Sequence, residues 1–185
     1  ETVGTVIEAG ASSGRAVGDQ VFVPGASCYA DAAGLFGASA ARLVVPGPRT
    51  VQIRFERPEE AALLALAATA HHAVSRSTRP ASLVVGHGVL GRLIARIVMA
   101  AGHPAPTVWE ALDVRRAGAQ GYAVTAPEHD RDLRHDVIID ASGDAAVIDT
   151  AIARLNRQGE LVLAGFYGGR VDFGFPTAFM KEATI

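Results

Sequence analysis

Gly86-His87-Gly88-Val89-Leu90-Gly91 is the stretch whose residue types and spacing most directly imply chemistry. It follows the apolar run Leu83-Val84-Val85 and opens a helical run, Leu90–Ala101. In that context the three glycines do different things. Gly86 permits the tight turn, Gly88 lets backbone approach a pyrophosphate, and Gly91 lets the helix pack closely on the strand. The amides of Val89 and Leu90 then lie at the positive end of a helix, where phosphate binds. His87, inside the turn, is expected to lend its side chain to the wall of the site. An acid, Glu110, closes the next strand about 20 residues beyond the turn, placed to accept hydrogen bonds from ribose hydroxyls. A carboxylate there repels a 2′-phosphate, so the dinucleotide expected is NAD rather than NADP. Arg115-Arg116 opposes that preference, since Arg115 could hold a phosphate; the alternative is that the pair is a solvated helix face.

Two later strand ends should line the same crevice, because ligands of open parallel sheets bind outside the carboxyl ends of the strands. Asp140-Ala141-Ser142-Gly143 follows Val137-Ile138-Ile139, and Ala164-Gly165-Phe166 follows Leu161-Val162-Leu163. Their small residues leave room for ribose and nicotinamide. No catalytic group is identified; the candidates are His71, His72 and Tyr29. On a helix His71 and His72 point about 100° apart and cannot easily share a metal, so one is expected packed and the other solvated unless one serves as proton relay or substrate contact. His103, His129 and His135 read as loop or surface residues. Cys28 is the only cysteine, has no evident companions, and excludes an internal disulfide. No metal site is expected.

The elements that must position these residues follow from the hydrophobic patterns. From residue 81 strands and helices alternate: Ser82–Val85, Leu90–Ala101, Thr107–Trp109, Leu112–Ala117, Tyr122–Thr125, Asp136–Asp140, Ala145–Leu155 and Glu160–Ala164. Repeated β-α-β units of this size imply an α/β fold, a Rossmann-type doubly wound parallel sheet over residues 81–185 with its last strand truncated. Residues 57–80 form a linking helix, with Pro58-Glu59-Glu60 at its start and Ala61–Val74 buried. Residues 1–56 look like part of a small β-barrel, with strands over Thr2–Glu8, Val17–Val23 and Arg42–Pro46 and a loop over Gly25–Gly37.

Bulk properties narrow the function classes. A net charge of −2 gives no reason to expect nucleic acid or an anionic membrane surface as partner. The longest apolar runs are too short to span a bilayer, and the single cysteine fits a reducing compartment, so a cytoplasmic protein is expected. A homodimer is one assembly this reading allows. The chain opens at Glu1 without an initiator methionine and stops at Ile185 as another apolar segment begins. It therefore reads as an internal fragment, inactive by itself because sheet edge and apolar surface would be left uncovered.

The order Gly4-x-Val6, Gly10, Gly18-Asp19-x-Val21, Pro58-Glu59-Glu60-Ala61-Ala62 and then the Gly86 turn resembles the medium-chain dehydrogenase/reductase superfamily. That resemblance implies part of a GroES-like catalytic barrel preceding the Rossmann domain. Within the superfamily, the segments Leu63–Ala73, Val84–Arg92, Val108-Trp109-Glu110, Arg115–Ala119, Ala164–Tyr167 and Phe175–Ala183 look like the family that oxidises the 3-(1-hydroxyethyl) group of a bacteriochlorophyllide to 3-acetyl with NAD⁺. The resemblance alone supplies that small-molecule substrate. The alternatives are a zinc-free NADPH-dependent quinone or enoyl reductase of the same superfamily, and a non-catalytic dinucleotide-binding protein. The chain departs from the zinc alcohol dehydrogenases. Their structural-zinc loop is rich in cysteine where this chain has only Cys28. Ala65 stands at the place of their catalytic cysteine, and Glu1 would match the acid of their His-Glu pair. The resemblance therefore implies a zinc-independent enzyme.

Overall fold

The computed structural model describes residues 1–26 and 37–185. They divide into two compact units, Glu1–Ala65 and Leu66–Ile185.

In the first unit, β1 (Thr2–Thr5), β2 (Gln20–Val23) and β3 (Val51–Gln52) form an antiparallel sheet in that order. Val21 and Val23 pack with Ala26 and Ala38, while Phe22 turns to the other face against Ile53 and Ala61. This is the two-residue alternation of a strand with apolar contacts on both sides. The expected strand over Thr2–Glu8 stops at Thr5, where Val6 instead bonds the Asp19 carbonyl across a turn. Arg42–Pro46 is not a strand. Pro46 and Pro48 lack the N–H a ladder needs, and the chain there runs into a 3₁₀ turn, Gly47–Arg49, before pairing at β3.

The second unit contains the parallel sheet, in the order β6 (Val124–Thr125), β5 (Thr107–Trp109), β4 (Leu83–Val85), β7 (His135–Asp140) and β8 (Leu155–Leu163). Alternate residues of each strand feed opposite faces. Val84, Val108, Val137 and Ile139 pack with α1 (Leu64–Ser75) and α2 (Val89–Ala100) through Ala70, Ala73, Ile94, Ala95 and Val98. Leu83, Val85, Trp109 and Ile138 pack on the other face with α4 (Ile148–Arg154) and α5 (Phe175–Lys181), through Ile148, Ala151, Ile152 and Ala178. Each fully buried Leu, Ile or Val contributes about 1.5–3 kcal/mol, so the two cores hold the sheet between helical layers. Strand order reverses between β4 and β7, which makes their carboxyl ends the switch point.

Boundaries differ from those the pattern suggests. The linking helix begins as a 3₁₀ turn over Pro58–Leu63, and α1 starts only at Leu64. The helix expected over Leu112–Ala117 is a single turn, α3 (Asp113–Arg116). β8 starts earlier than Glu160, at Leu155, because a register irregularity between His135 and Val137 lets it pair on both sides of the Gln158 turn. Thr184 forms a single parallel bridge with Glu160 on the outer edge of β8. His135 is not at the surface: it begins β7, is 1% exposed, and its Nδ1 pairs with the Ser82 hydroxyl at 3.1 Å. No helix among the described residues is long and apolar enough to cross a membrane.

Candidate functional site

The carboxyl ends of β4, β7 and β8 meet in backbone contact, and glycines make the approach possible. Gly86 has φ +95°, and a Cβ on it would lie 2.9 Å from Ser142 Cα. Gly91, one turn into α2, would place a Cβ 1.8 Å from the Gly86 carbonyl oxygen. Gly143 has φ +71° and would press on the Phe166 carbonyl at 2.7 Å, and Gly165 on the Gly143 amide at 2.6 Å. The fold itself therefore demands glycine at each of these positions.

Gly88 is different. Its φ of −71° suits any residue, and a Cβ there meets nothing within 4 Å. It is the N-cap of α2, with no side-chain cap and no acid in the first turn. Arg92 donates the first helical bond, to the Gly88 carbonyl; the amides of Val89, Leu90 and Gly91 precede it at the positive end of the helix dipole. That arrangement accepts an anionic oxygen, so the turn fits the pyrophosphate of a dinucleotide. Gly88 is the cradle position that a Cβ would fill.

Glu110 is buried at the end of β5, and its carboxylate ties the turn to that strand. Oε2 accepts from the His87 amide at 3.1 Å and Oε1 from the Leu112 amide at 2.9 Å. Each oxygen keeps a lone pair for a hydroxyl donor. Arg116, rather than Arg115, folds back on the backbone at the end of β5: its guanidinium donates to the Glu110 and Ala111 carbonyls at 2.7 Å each and pairs with Asp113. The Arg115 side chain is exposed.

His87 does not present its ring as a wall of the crevice. The ring is buried beneath the turn, with Nδ1 at 2.7 Å from the Arg115 carbonyl and Nε2 at 2.9 Å from the Tyr122 hydroxyl. A carbonyl only accepts, so these partners assign the proton to Nδ1 and make Nε2 the acceptor of the Tyr122 hydroxyl. Burial pushes the Tyr122 hydroxyl above its ordinary pKa, with the Arg92 and Arg96 guanidiniums pulling the other way. Arg92 also donates to the His87, Arg115, Ala117 and Gly118 carbonyls, fastening the α3 loop to the turn.

On the β7 side, Asp140 is fully buried; its Oδ1 accepts from the Ser142 amide at 2.8 Å and its Oδ2 from the Tyr167 hydroxyl at 2.7 Å. Burial first, and the bond to Asp140 second, hold Tyr167 well above the ordinary phenol range. Sequence reasoning places Asp140 only as the start of a crevice-lining strand end and assigns no role to Tyr167 or Tyr122. A carboxylate ending a strand of buried β-branched residues is the one available signal. Ala141, Ser142, Gly143, Ala164 and Gly165 are brought together at these strand ends, and the Phe166 ring is 95% exposed beside them. His71 and His72 are both exposed on α1, and among the described residues no hydrogen bond or ring contact joins their side chains to these loops. Tyr29 and Cys28 lie outside the described residues. Among the described residues no three His, Cys, Asp or Glu side chains gather as a metal-binding set.

No protein-family model matches the chain. It is 49% identical, over all of its length and 60% of the relative's, to 2-desacetyl-2-hydroxyethyl bacteriochlorophyllide A dehydrogenase of Cereibacter sphaeroides. The chain thus spans 60% of the length of that curated relative. Among solved structures it resembles a protein of Sinorhizobium meliloti described as a zinc-binding dehydrogenase bound to NADP, with a TM-score of 0.79 and 20% identity over 98% of this chain and 65% of that one. It also resembles an Escherichia coli protein described as a short chain alcohol dehydrogenase complexed with NADH, with a TM-score of 0.77 and 19% identity over 99% of this chain and 65% of that one. At such identities these likenesses show the fold alone.

Proposed function

We propose, from its likeness to the bacteriochlorophyllide dehydrogenase named above, that the chain holds the cofactor of an NAD-dependent enzyme of the medium-chain dehydrogenase superfamily that oxidises the 3-(1-hydroxyethyl) group of a bacteriochlorophyllide to 3-acetyl. The observation that carries the cofactor assignment is Gly88, a glycine the fold does not require, at an uncapped helix start between two glycines the fold does require. The substrate rests on the likeness to the named relative.

The dinucleotide, when bound, supplies the hydride acceptor for the carbinol C–H, while the hydroxyl proton departs to base or solvent. The residues of this chain bind and orient. The Val89, Leu90 and Gly91 amides would hold the pyrophosphate, and Glu110 the adenosine ribose. The Ala141–Gly143 and Ala164–Phe166 loops would border the nicotinamide end. The assignment to NAD follows from the Glu110 carboxylate, whose charge would repel a 2′-phosphate on the ribose it is proposed to hold. The reading is zinc-free, since Ala65 offers no ligand where a zinc enzyme has cysteine.

The test is turnover by the full-length protein with NAD⁺ and a 3-(1-hydroxyethyl) bacteriochlorophyllide, following macrocycle absorbance together with NADH formation. Equimolar acetyl product and NADH are expected. Tight binding of NADPH with weak binding of NADH would overturn the role given to Glu110 and favour a quinone or enoyl reductase. Dinucleotide binding without any turnover would favour a non-catalytic binding protein.

A further inference from the structure

Asp140 does more than end a strand. Its carbonyl accepts from two amides of the neighbouring strand end, Ala164 at 2.8 Å and Gly165 at 2.9 Å. Its carboxylate accepts from Ser142 in its own loop and from the Tyr167 hydroxyl in the loop after β8. One fully buried residue thus joins both loops; Gly143 and Gly165 let their backbones approach, and Tyr167 packs on the core beneath. The Ala141 amide donates to the Val85 carbonyl at 2.8 Å, and Gly86 admits Ser142 at a distance no Cβ allows. The spacing between the phosphate turn and the β8 loop is therefore set through Asp140.

From this juxtaposition we propose that Asp140 and Tyr167 form a latch that positions the nicotinamide half of the dinucleotide without contacting it. The inference rests on the dinucleotide reading of the crevice. In a doubly wound sheet the two halves of the ligand lie on either side of the switch point. Glu110 and the Gly86–Gly91 turn serve the adenosine and phosphate half. The Ala141–Gly143 and Ala164–Phe166 loops are left for the other half. Phe166 follows Gly165 directly, and its exposed ring and its carbonyl against Gly143 move with the loop that Tyr167 anchors. Both residues are positioning residues: the Asp140 carboxylate is fully buried under its partners.

The test separates the two halves of the ligand. Full-length unaltered protein, Tyr167→Phe and Asp140→Asn are titrated with NADH and, separately, with ADP-ribose, which lacks the nicotinamide. Asp140→Asn keeps the shape and an acceptor for Ser142 but replaces the charge-assisted bond from Tyr167 with a neutral one in which the amide donates, so a smaller loss in the same direction is expected and it serves if Tyr167→Phe misfolds. Losing one hydrogen bond to a charged group should weaken NADH about tenfold in Tyr167→Phe. ADP-ribose should change by less than about twofold, since it keeps the adenosine and pyrophosphate contacts and lacks the nicotinamide base that the latched loops would hold. A merely structural role would weaken both ligands alike or neither, and either result overturns the latch. Failure of the unaltered protein to bind NADH or ADP-ribose overturns the dinucleotide reading itself, and the latch with it. Binding of ADP-ribose with equal NADH affinity in all three proteins overturns the latch alone.

Discussion

Replacing Gly88 by alanine separates what the fold needs of the Gly86–Gly91 turn from what a ligand would need of it. An alanine Cβ at residue 88 meets no protein atom within 4 Å, and φ −71° is ordinary for it. Alanine is the poorer N-cap by up to about 1 kcal/mol, and the stiffer unfolded chain returns about 0.4–1 kcal/mol. The melting temperature should therefore move by less than about 3 °C. Binding should respond differently. A methyl group at the helix start displaces an anion from the Val89 and Leu90 amides. Two charge-assisted bonds at about 1.5 kcal/mol each amount to about 3 kcal/mol, or roughly a hundredfold in Kd. Gly91→Ala is the contrast: its Cβ would lie 1.8 Å from the Gly86 carbonyl oxygen, a backbone atom that cannot rotate away. Overpacking of about 3 kcal/mol or more should outweigh the roughly 1 kcal/mol that alanine gains in a helix. The assays are NADH fluorescence titration and thermal unfolding of the full-length variants. Unchanged NADH affinity in Gly88→Ala would refute the cradle. A melting temperature as low as that of Gly91→Ala would refute the claim that the fold leaves residue 88 free.

Other expectations follow from the same geometry. Gly143→Ala should cost about 1–3 kcal/mol in urea unfolding, because φ +71° and the Phe166 carbonyl at 2.7 Å both oppose a side chain. Asp130→Ala should remove about 1–3 kcal/mol and shift the emission of Trp109, the only tryptophan, to the red. Its Oδ2 takes the Trp109 indole N–H at 2.6 Å and stands 3.7 Å from His135 Nε2, a buried nitrogen with no hydrogen-bond partner among the described residues. Tyr167 should impose an alkaline limit. Its pKa is raised in the folded state, so its contribution is complete below the ordinary value of about 10 and is lost as pH rises from there towards the folded value. The stability difference between unaltered protein and Tyr167→Phe, measured by urea unfolding, should stay constant from about pH 6 to 9 and shrink above about pH 10. A constant difference up to about pH 11 would contradict it.

What can be read in the sequence divides along the range of the interactions. Leu83-Val84-Val85, Thr107–Trp109 and Val137–Asp140 are legible because a strand buried on both faces is a short apolar run, whatever packs on it. The turn is legible because its glycine spacing is local, Gly91 answering to the Gly86 carbonyl five positions before it, although the contact that requires Gly86 itself is with the distant Ser142. Arg42–Pro46 misleads because its apolar content suggests a strand while Pro46 and Pro48 withhold the donors that pairing needs. His135 misleads for the opposite reason. Beside Arg134 and Asp136 it looks solvated, yet the ring is covered by Ser82, 53 positions earlier, and faces Asp130. The latch belongs to the same class: Tyr167 reaches Asp140 across 27 positions, and Tyr122 reaches His87 across 35. In each case a polar group enters the sheet's end only because a distant partner satisfies it, and no local pattern records that partner. The motif glycines mark where a ligand's phosphates would lie, but these long-range pairs fix the loops around the rest of the ligand. Residues that discriminate one dehydrogenase from another on this fold should therefore be sought among such pairs, rather than within the glycine motif that the fold holds in common.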